Sequence, residues 1–393
     1  MRVLYLTDSL SDLDGVGRYA TRLIAALEKQ RPALEVEILL ARKHRTTSAQ
    51  VPAHWKVEVA LPPDYFFYMT PFRYQVSLWQ STLKAWARAR RCDLVHAIKD
   101  FPHNRVGLLA ARMAGVPCVA TAHGTYTVQP LLDERHARTA RQTYAGFESM
   151  ISVSGYTRRR LLAELGEEVL PPERIHVVPN CVDADYHAAP REVGEKPWHG
   201  QLFTLAIGEL KERKGHHLSL EAFCRLAPRF PELQHYVVGR LSGDDYQLAL
   251  QRRVAEAGLE DRVHWLGNIT EDEKIDLLQR AAVFVHTPVT AADGGFEGFG
   301  IVYLEASSCR TPVLGTLDCG AEDAIVDGQT GFLVAQEADA VEGALERLLA
   351  DAALRERMGE AGLAHAQASG WEENAQRVLA LYDDALRAKR GRS

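Results

Sequence analysis

Two glutamates, Glu297 and Glu305, stand eight residues apart around the glycines Gly298 and Gly300, in the stretch 293–305, DGGFEGFGIVYLE. A glycine-rich turn lets backbone approach a ligand closely. Where such a turn opens a helix, the free N–H groups and the positive end of the dipole suit phosphate oxygens. Gly298, Phe299, Gly300 and Ile301 are the candidates for those contacts. A carboxylate is a poor partner for phosphate but accepts well from a pair of sugar hydroxyls. Phosphate-binding backbone framed by two hydroxyl acceptors implies a diphosphate between two hydroxylated rings, which is a nucleotide sugar. Plainer explanations exist for each part alone: glycine-rich turns are common at strand–helix junctions, and acidic residues near a helix start stabilise the dipole without any ligand.

The elements that position this stretch lie on either side of it. The apolar run 281–286, AAVFVH, reads as a buried parallel strand, and IVYLEASSC, apolar at Ile301, Leu304 and Ser308/Cys309, predicts a helix with one buried face. The arrangement recurs at the start of the chain. There a strand at 2–7 leads through a turn carrying Gly15 and Gly17 into a helix that is apolar at Ala20, Leu23, Ile24 and Leu27. Further strands are expected at 36–41, 93–98, 117–121, 150–153, 203–208, 235–240, 263–269 and 312–316, with helices between them. Alternation of this kind predicts α/β architecture with doubly wound parallel sheets, whose ligands bind beyond the carboxyl ends of the strands. His123, just after PCVATA, stands at such an end. So do Arg213 and Lys214 in ELKERKG (209–215), a bidentate partner and a point charge for phosphate.

A chain of 393 residues has the length for two or three domains. Its 46% hydrophobic and 25% charged residues are those of an ordinary globular protein, and a net charge of −6 argues against nucleic acid as a partner. Six scattered cysteines without a C-x-x-C pair suit a reducing compartment and weigh against structural zinc. A strand beginning at Arg2 leaves no room for a signal peptide, and no apolar run nears the ~18 residues of a membrane span, so a cytoplasmic location is expected. The aromatic stretch 61–79 shows no clear period and reads either as a core-packed loop or as an acceptor surface. Lys84, Arg88, Arg90 and Arg91, with Arg158, Arg159 and Arg160, read as a solvated helix face or as a contact with an anionic membrane surface or a phosphate-bearing acceptor. Asp183-x-Asp185 is read as a chance pattern and not as a metal site.

The string EGFGIVYLEA (297–306) carries an E-x7-E motif and resembles the retaining glycosyltransferases of family 4. The resemblance runs from residue 1 to about 388 and is strongest over 203–334, taking in AHGTY (122–126), VPNCVD (178–183), Lys214-Gly215 and GAEDAIVDGQTGFLV (320–334). It implies a GT-B fold, two Rossmann-like domains facing each other across a cleft. An acceptor domain is then expected at 1–187, a linker within 188–201, a donor domain at 198–370, and a terminal helix at 371–390 crossing back onto the first domain. The activity implied is transfer of a hexose from GDP-mannose or a UDP-hexose to a hydroxyl of a glycan, lipid-linked or small-molecule acceptor, with retention and with neither metal nor other cofactor.

By the same resemblance His123 lies beside the transferred sugar and Glu297 holds its hydroxyls. Glu305 holds the ribose, while Lys214 and Arg213 meet the leaving diphosphate. Gly15 and Gly17 close over that diphosphate, and Arg240 and Asn268 neighbour the base. Three positions depart from the family pattern: Asp14 stands where the first loop has a glycine, Glu209 where an arginine is usual, and Cys181 replaces the glycine of the VPNGVD segment. Arg213 is expected to replace the missing cation. The two extra carboxylates keep a second reading open, a non-catalytic nucleotide-sugar-binding protein. The sequence leaves open the oligomeric state and a peripheral contact at the inner membrane face.

Overall fold

A computed structural model of the protein describes residues 1–11, 14–42, 51–63 and 69–391. The chain divides into two compact units, Met1–Asn180 with Trp371–Ser393, and Cys181–Gly370.

The first unit is built on seven parallel strands: β1 (Arg2–Thr7), β2 (Glu35–Ala41), β3 (Lys56–Leu61), β4 (Leu94–Ala97), β5 (Cys118–Ala122), β6 (Ser149–Ser152) and β7 (Ile175–Val177). Their order is β3-β2-β1-β4-β5-β6-β7. The chain starts in the middle, winds out one way and returns to wind the other, so the order reverses between β1 and β4. That reversal is where a doubly wound sheet takes its ligand. The strands β4, β5 and β6 are buried throughout, as parallel strands covered on both faces must be. Two strands of this unit lie outside the expected set. β3 is an edge strand whose polar residues and exposed Val59 interrupt any apolar run, and β7 is only three residues long. The segment 61–79 is not a loop in its second half: Pro71 opens a helix that runs to Ala89. Residues 64–68 of that segment lie outside the described residues.

The helix Trp371–Gly391 belongs to this unit and packs on the helix Gly15–Gln30. Arg31 meets Asp383 through two parallel hydrogen bonds of 2.9 and 2.8 Å, and the Tyr382 hydroxyl lies 2.6 Å from His96 Nδ1 in the core. Burial lowers the His96 pKa to about 3, so its ring is a neutral part of the core.

The second unit has six parallel strands, β8 (Phe203–Ile207), β9 (Gln234–Val238), β10 (Val263–Gly267), β11 (Val283–Val285), β12 (Val313–Thr316) and β13 (Gly331–Val334), in the order β10-β9-β8-β11-β12-β13. Here the order reverses between β8 and β11. The unit begins at Cys181, ahead of the boundary expected at 187. The reason is local: the helix Ala184–Ala188 packs on the helix Ile301–Ser308, and the Gln279 side chain donates to the carbonyls of His187 and Ala189 at 2.8 Å each. The helix Ile301–Ser308 also departs from its expected single buried face, because every residue from Tyr303 to Ser308 is buried. It is wedged among Glu271–Arg280, Ala352–Ala368 and Ala184–Ala188.

Candidate active site

In the second unit, the residues beyond β8 and β11 converge on Glu297. Lys214 forms an ion pair with its Oε2, and His286 Nε2 lies 3.4 Å from the same oxygen. Lys214 is delivered by a single helical turn, Glu212–Lys214, closed by Gly215. Gly215 has φ +69°, and a Cβ there would lie 1.6 Å from the Thr287 carbonyl oxygen, so only glycine lets the Lys214 turn sit against the end of β11. Burial pushes the Glu297 carboxyl up, and the ammonium of Lys214, the His286 hydrogen bond and Arg213 more than offset it, leaving it well below the usual carboxylate range. The His286 imidazole pKa is lowered as well, by burial and despite the bond to Glu297. At neutral pH Glu297 is therefore an anion and His286 a neutral ring.

Glu297 leads directly into Gly298, Phe299 and Gly300. Gly300 takes φ +81° at the start of the helix Ile301–Ser308, which no side chain caps. Its first N–H groups are therefore the ones a ligand can take.

Glu305 lies inside that helix, 2% exposed, and its Oε2 accepts from Lys274 at 3.0 Å. Lys274 also holds Glu271 at 2.8 Å, and His187 Nε2 lies 3.9 Å from Glu305. Sequence reasoning missed Lys274, His187 and His286. Lys274 had one available signal, the Glu271-x-x-Lys274 spacing that puts both side chains on one helix face.

Glu209, the residue in the place of the usual arginine, is not left facing the site alone. It lies 2.9 Å from Lys211 and 4.0 Å from Arg213. Burial raises its pKa, but Lys211, then Arg213 and Lys214, bring it below its ordinary value. Arg240 and Asn268 follow β9 and β10 and are exposed at neighbouring strand ends, joined by the Gly239 N–H donating to the Gly267 carbonyl at 3.0 Å. The Asp183-x-Asp185 pair has a structural use, since Asp183 caps the helix Ala184–Ala188 by accepting from the Tyr186 N–H at 3.1 Å.

In the first unit, His123 follows β5, and Gly15 and Gly17 lie in the first turn of the helix after β1. Asp14 is the N-cap of that helix: its carboxylate accepts from the Gly17 N–H at 2.7 Å and from the Ser9 hydroxyl. His123 Nε2 lies 2.9 Å from the Ile98 carbonyl, and its backbone N–H donates to Asp100 Oδ1 at 3.2 Å. A carbonyl only accepts, so Nε2 carries the proton. Burial lowers the pKa of the ring, assisted by Lys99 against the pull of Asp100. The ring is thus neutral at pH 7 and offers Nδ1 as an acceptor. Asp8 and Lys99, a buried pair 2.8 Å apart at the ends of β1 and β4, went unnoticed in the sequence. The basic run beyond β6 is structural in part: Arg158 donates to the carbonyls of Ile175 and Pro172 at 3.0 Å each, and Arg159 and Arg160 lie over the Tyr156 ring.

Two family models match the chain, Glycosyltransferase Family 4 over residues 13–186 and Glycosyl transferases group 1 over residues 191–365. The D-inositol 3-phosphate glycosyltransferase of Pseudarthrobacter chlorophenolicus is 31% identical over 313 residues, covering 75% of this chain and 71% of that one. The GDP-mannose-dependent alpha-(1-6)-phosphatidylinositol monomannoside mannosyltransferase of Mycolicibacterium smegmatis is 32% identical over 267 residues, 65% and 67% of the two chains. Among solved structures, Anabaena HepE in complex with UDP and glucose aligns with a TM-score of 0.75 at 20% identity, over 96% of this chain and 98% of that one. The sucrose-phosphate synthase of Thermosynechococcus elongatus gives 0.76 at 20% identity, over 98% and 99%.

Proposed function

The chain belongs to family 4 of the glycosyltransferases, with the GT-B fold, and from that premise we propose that it transfers a hexose, with retention, from a nucleotide diphosphate sugar to a hydroxyl of a glycan, glycolipid or small-molecule acceptor. GDP-mannose or a UDP-hexose is the donor, the former supported by the GDP-mannose dependence of the Mycolicibacterium relative. The observation that carries the reading is the ionised Glu297, held by Lys214 and His286 beside the uncapped start of the helix Ile301–Ser308.

The transition state of such a transfer resembles an oxocarbenium ion, with negative charge growing on the leaving phosphate, so catalysis means stabilising that charge. Lys214 and Arg213 supply the cations, and the N–H groups of Phe299, Gly300 and Ile301 supply the dipoles. With protein cations in that role the reaction runs without a metal, and EDTA leaves the rate unchanged. Lys214 and His286 both approach Oε2 of Glu297, which leaves Oε1 to accept from a hydroxyl of the transferred sugar. Glu305 takes the ribose hydroxyls. His123 accepts at Nδ1 and orients the sugar, and the acceptor's proton passes to the leaving phosphate oxygen on the same face.

The non-catalytic alternative drew on Asp14 and Glu209. Asp14 serves a helix cap and Glu209 is tied to Lys211, so neither is a loose negative charge, which favours the enzyme. Steady-state kinetics of the purified protein test the division of roles. Glu305→Ala raises the donor KM, and His123→Ala lowers kcat with donor binding largely kept. Equal loss of donor affinity in both variants would sink the assignment, and neither transfer nor donor hydrolysis by the unaltered protein would favour the binding-protein reading.

A further inference from the structure

The helix Pro71–Ala89 in the first unit is apolar on two sides. One side, with Tyr74, Leu78 and Ala85, is buried in the core of the unit. On the other, Phe72, Val76, Trp79 and Leu83 are 79, 39, 54 and 50% exposed. Their spacing of four, three and four residues, at about 100° per residue, places all four within roughly 60° of one another. Single exposed apolar residues need no explanation, but a continuous stripe marks a surface that something covers.

Charge identifies what covers it. Between residues 71 and 91 there is no Asp or Glu, while Arg73, Lys84, Arg88, Arg90 and Arg91 stand there in a chain of net charge −6. Arg88 is paired with Glu58. Among the described residues, Arg73, Lys84, Arg90 and Arg91 form no ion pair. The Arg90 guanidinium lies 5.6 Å from the Trp86 ring centroid, at the far end of the same stripe. A second copy of this chain docking through the stripe would bring these cations against their own kind, which is repulsive. An apolar stripe with large aromatics, flanked by unpaired cations and free of acids, suits the headgroup boundary of an anionic bilayer.

We propose that the helix Pro71–Ala89 is an interfacial anchor. Phe72, Val76, Trp79 and Leu83 enter the boundary between headgroups and acyl chains, and Arg73, Lys84, Arg90 and Arg91 meet anionic headgroups. The helix lies along the surface and does not cross it: no described helix is long and apolar enough to span a membrane. The inference is independent of the transferase reading, since none of these residues belongs to the candidate active site.

The test is co-sedimentation of the full chain with phosphatidylcholine vesicles, with and without about one-quarter phosphatidylglycerol. The expected result is binding to the anionic vesicles that falls with added salt, and little binding to the neutral ones. Phe72→Ser with Trp79→Ser weakens it at least tenfold, and Lys84→Gln with Arg90→Gln about 30-fold, from the usual contribution of each cation near such a surface. The substituted side chains are exposed, and circular dichroism verifies that the fold is kept. Unchanged vesicle binding in both double variants would overturn the proposal, as would equal binding to neutral and anionic vesicles. So would a dimer that Phe72→Ser with Trp79→Ser dissociates in a chain that ignores vesicles, which would make the stripe a protein interface.

Discussion

Lys214→Ala removes an ammonium from a carboxylate that the fold has already desolvated. The Lys214 and Glu297 side chains are 17% and 11% exposed. Deleting one partner of a buried ion pair costs about 3–5 kcal/mol, because the other charge is left uncompensated. His286 stays at 3.4 Å as a neutral donor, so the lower figure, about 3 kcal/mol, applies at pH 7. That is on the order of a 100-fold loss of amide protection in residues 297–308. The pH dependence follows from the Glu297 carboxyl. Burial pushes its pKa up and Lys214 holds it well below the ordinary value. A depressed pKa contributes stability above the unfolded value of about 4.3 and loses it as pH falls through the folded value. Without Lys214 the largest counterweight to burial is gone and the pKa rises. The cost of the substitution is therefore full at pH 7 and shrinks as pH falls through that raised value, where the unpaired carboxyl takes up a proton. Hydrogen exchange read by mass spectrometry at pH 7 and at a pH below that value measures this. A loss at pH 7 under about 5-fold, or an equal loss at both, would refute the reasoning. In the same variant kcat falls by about 10²–10³, as expected when a group stabilising leaving-group charge is deleted.

Three other substitutions have defined outcomes. Asp14→Ala removes the N-cap of the helix Gly15–Gln30 and lowers stability by about 1 kcal/mol; unchanged donor affinity in a thermal or calorimetric titration agrees with capping, and a marked gain would place the carboxylate against the diphosphate instead. Gly300→Ala forces a side chain into φ +81° with its Cβ 2.6 Å from the Tyr303 ring, costing about 1–3 kcal/mol; a melting temperature equal to that of the unaltered protein would contradict it. Tyr382→Phe leaves His96 Nδ1 in the core without its partner and costs about 1–3 kcal/mol by denaturant titration; a loss confined to a few tenths would mean that this buried bond contributes little to holding the terminal helix.

The readable parts of the sequence are those where one physical demand acts alone. Strands such as β1, β4 and β5 need apolar residues on both faces and show it as short unbroken runs. The Gly298–Gly300 turn and the Lys214-Gly215 turn show as glycines because a close approach and a left-handed φ admit nothing else. β3 and β13 stayed hidden because an edge strand need bury only part of its surface, and β13 begins on a glycine that also reads as a turn. The helix Pro71–Ala89 lost its period because it is apolar on two sides, so the buried positions at 74, 78, 81, 82, 85 and 89 are masked by Phe72, Val76, Trp79 and Leu83. At the site, residue types named the acids and cations but not their pairing. That Glu305 belongs to Lys274 depends on a contact between distant parts of the chain, and Glu209 pairs with Lys211, one of three cations in the ELKERK run it could have met.

Thermal unfolding against UDP, GDP, ADP and their sugars, with Glu305→Ala as the control, tests the central claim most directly. At about 100 times its dissociation constant a ligand of the native state adds roughly 2.7 kcal/mol of stability, a visible shift in melting temperature. The account predicts that one nucleotide and its sugar stabilise the protein and that Glu305→Ala abolishes the effect. Stabilisation by no nucleotide, or an undiminished shift in Glu305→Ala, would contradict it.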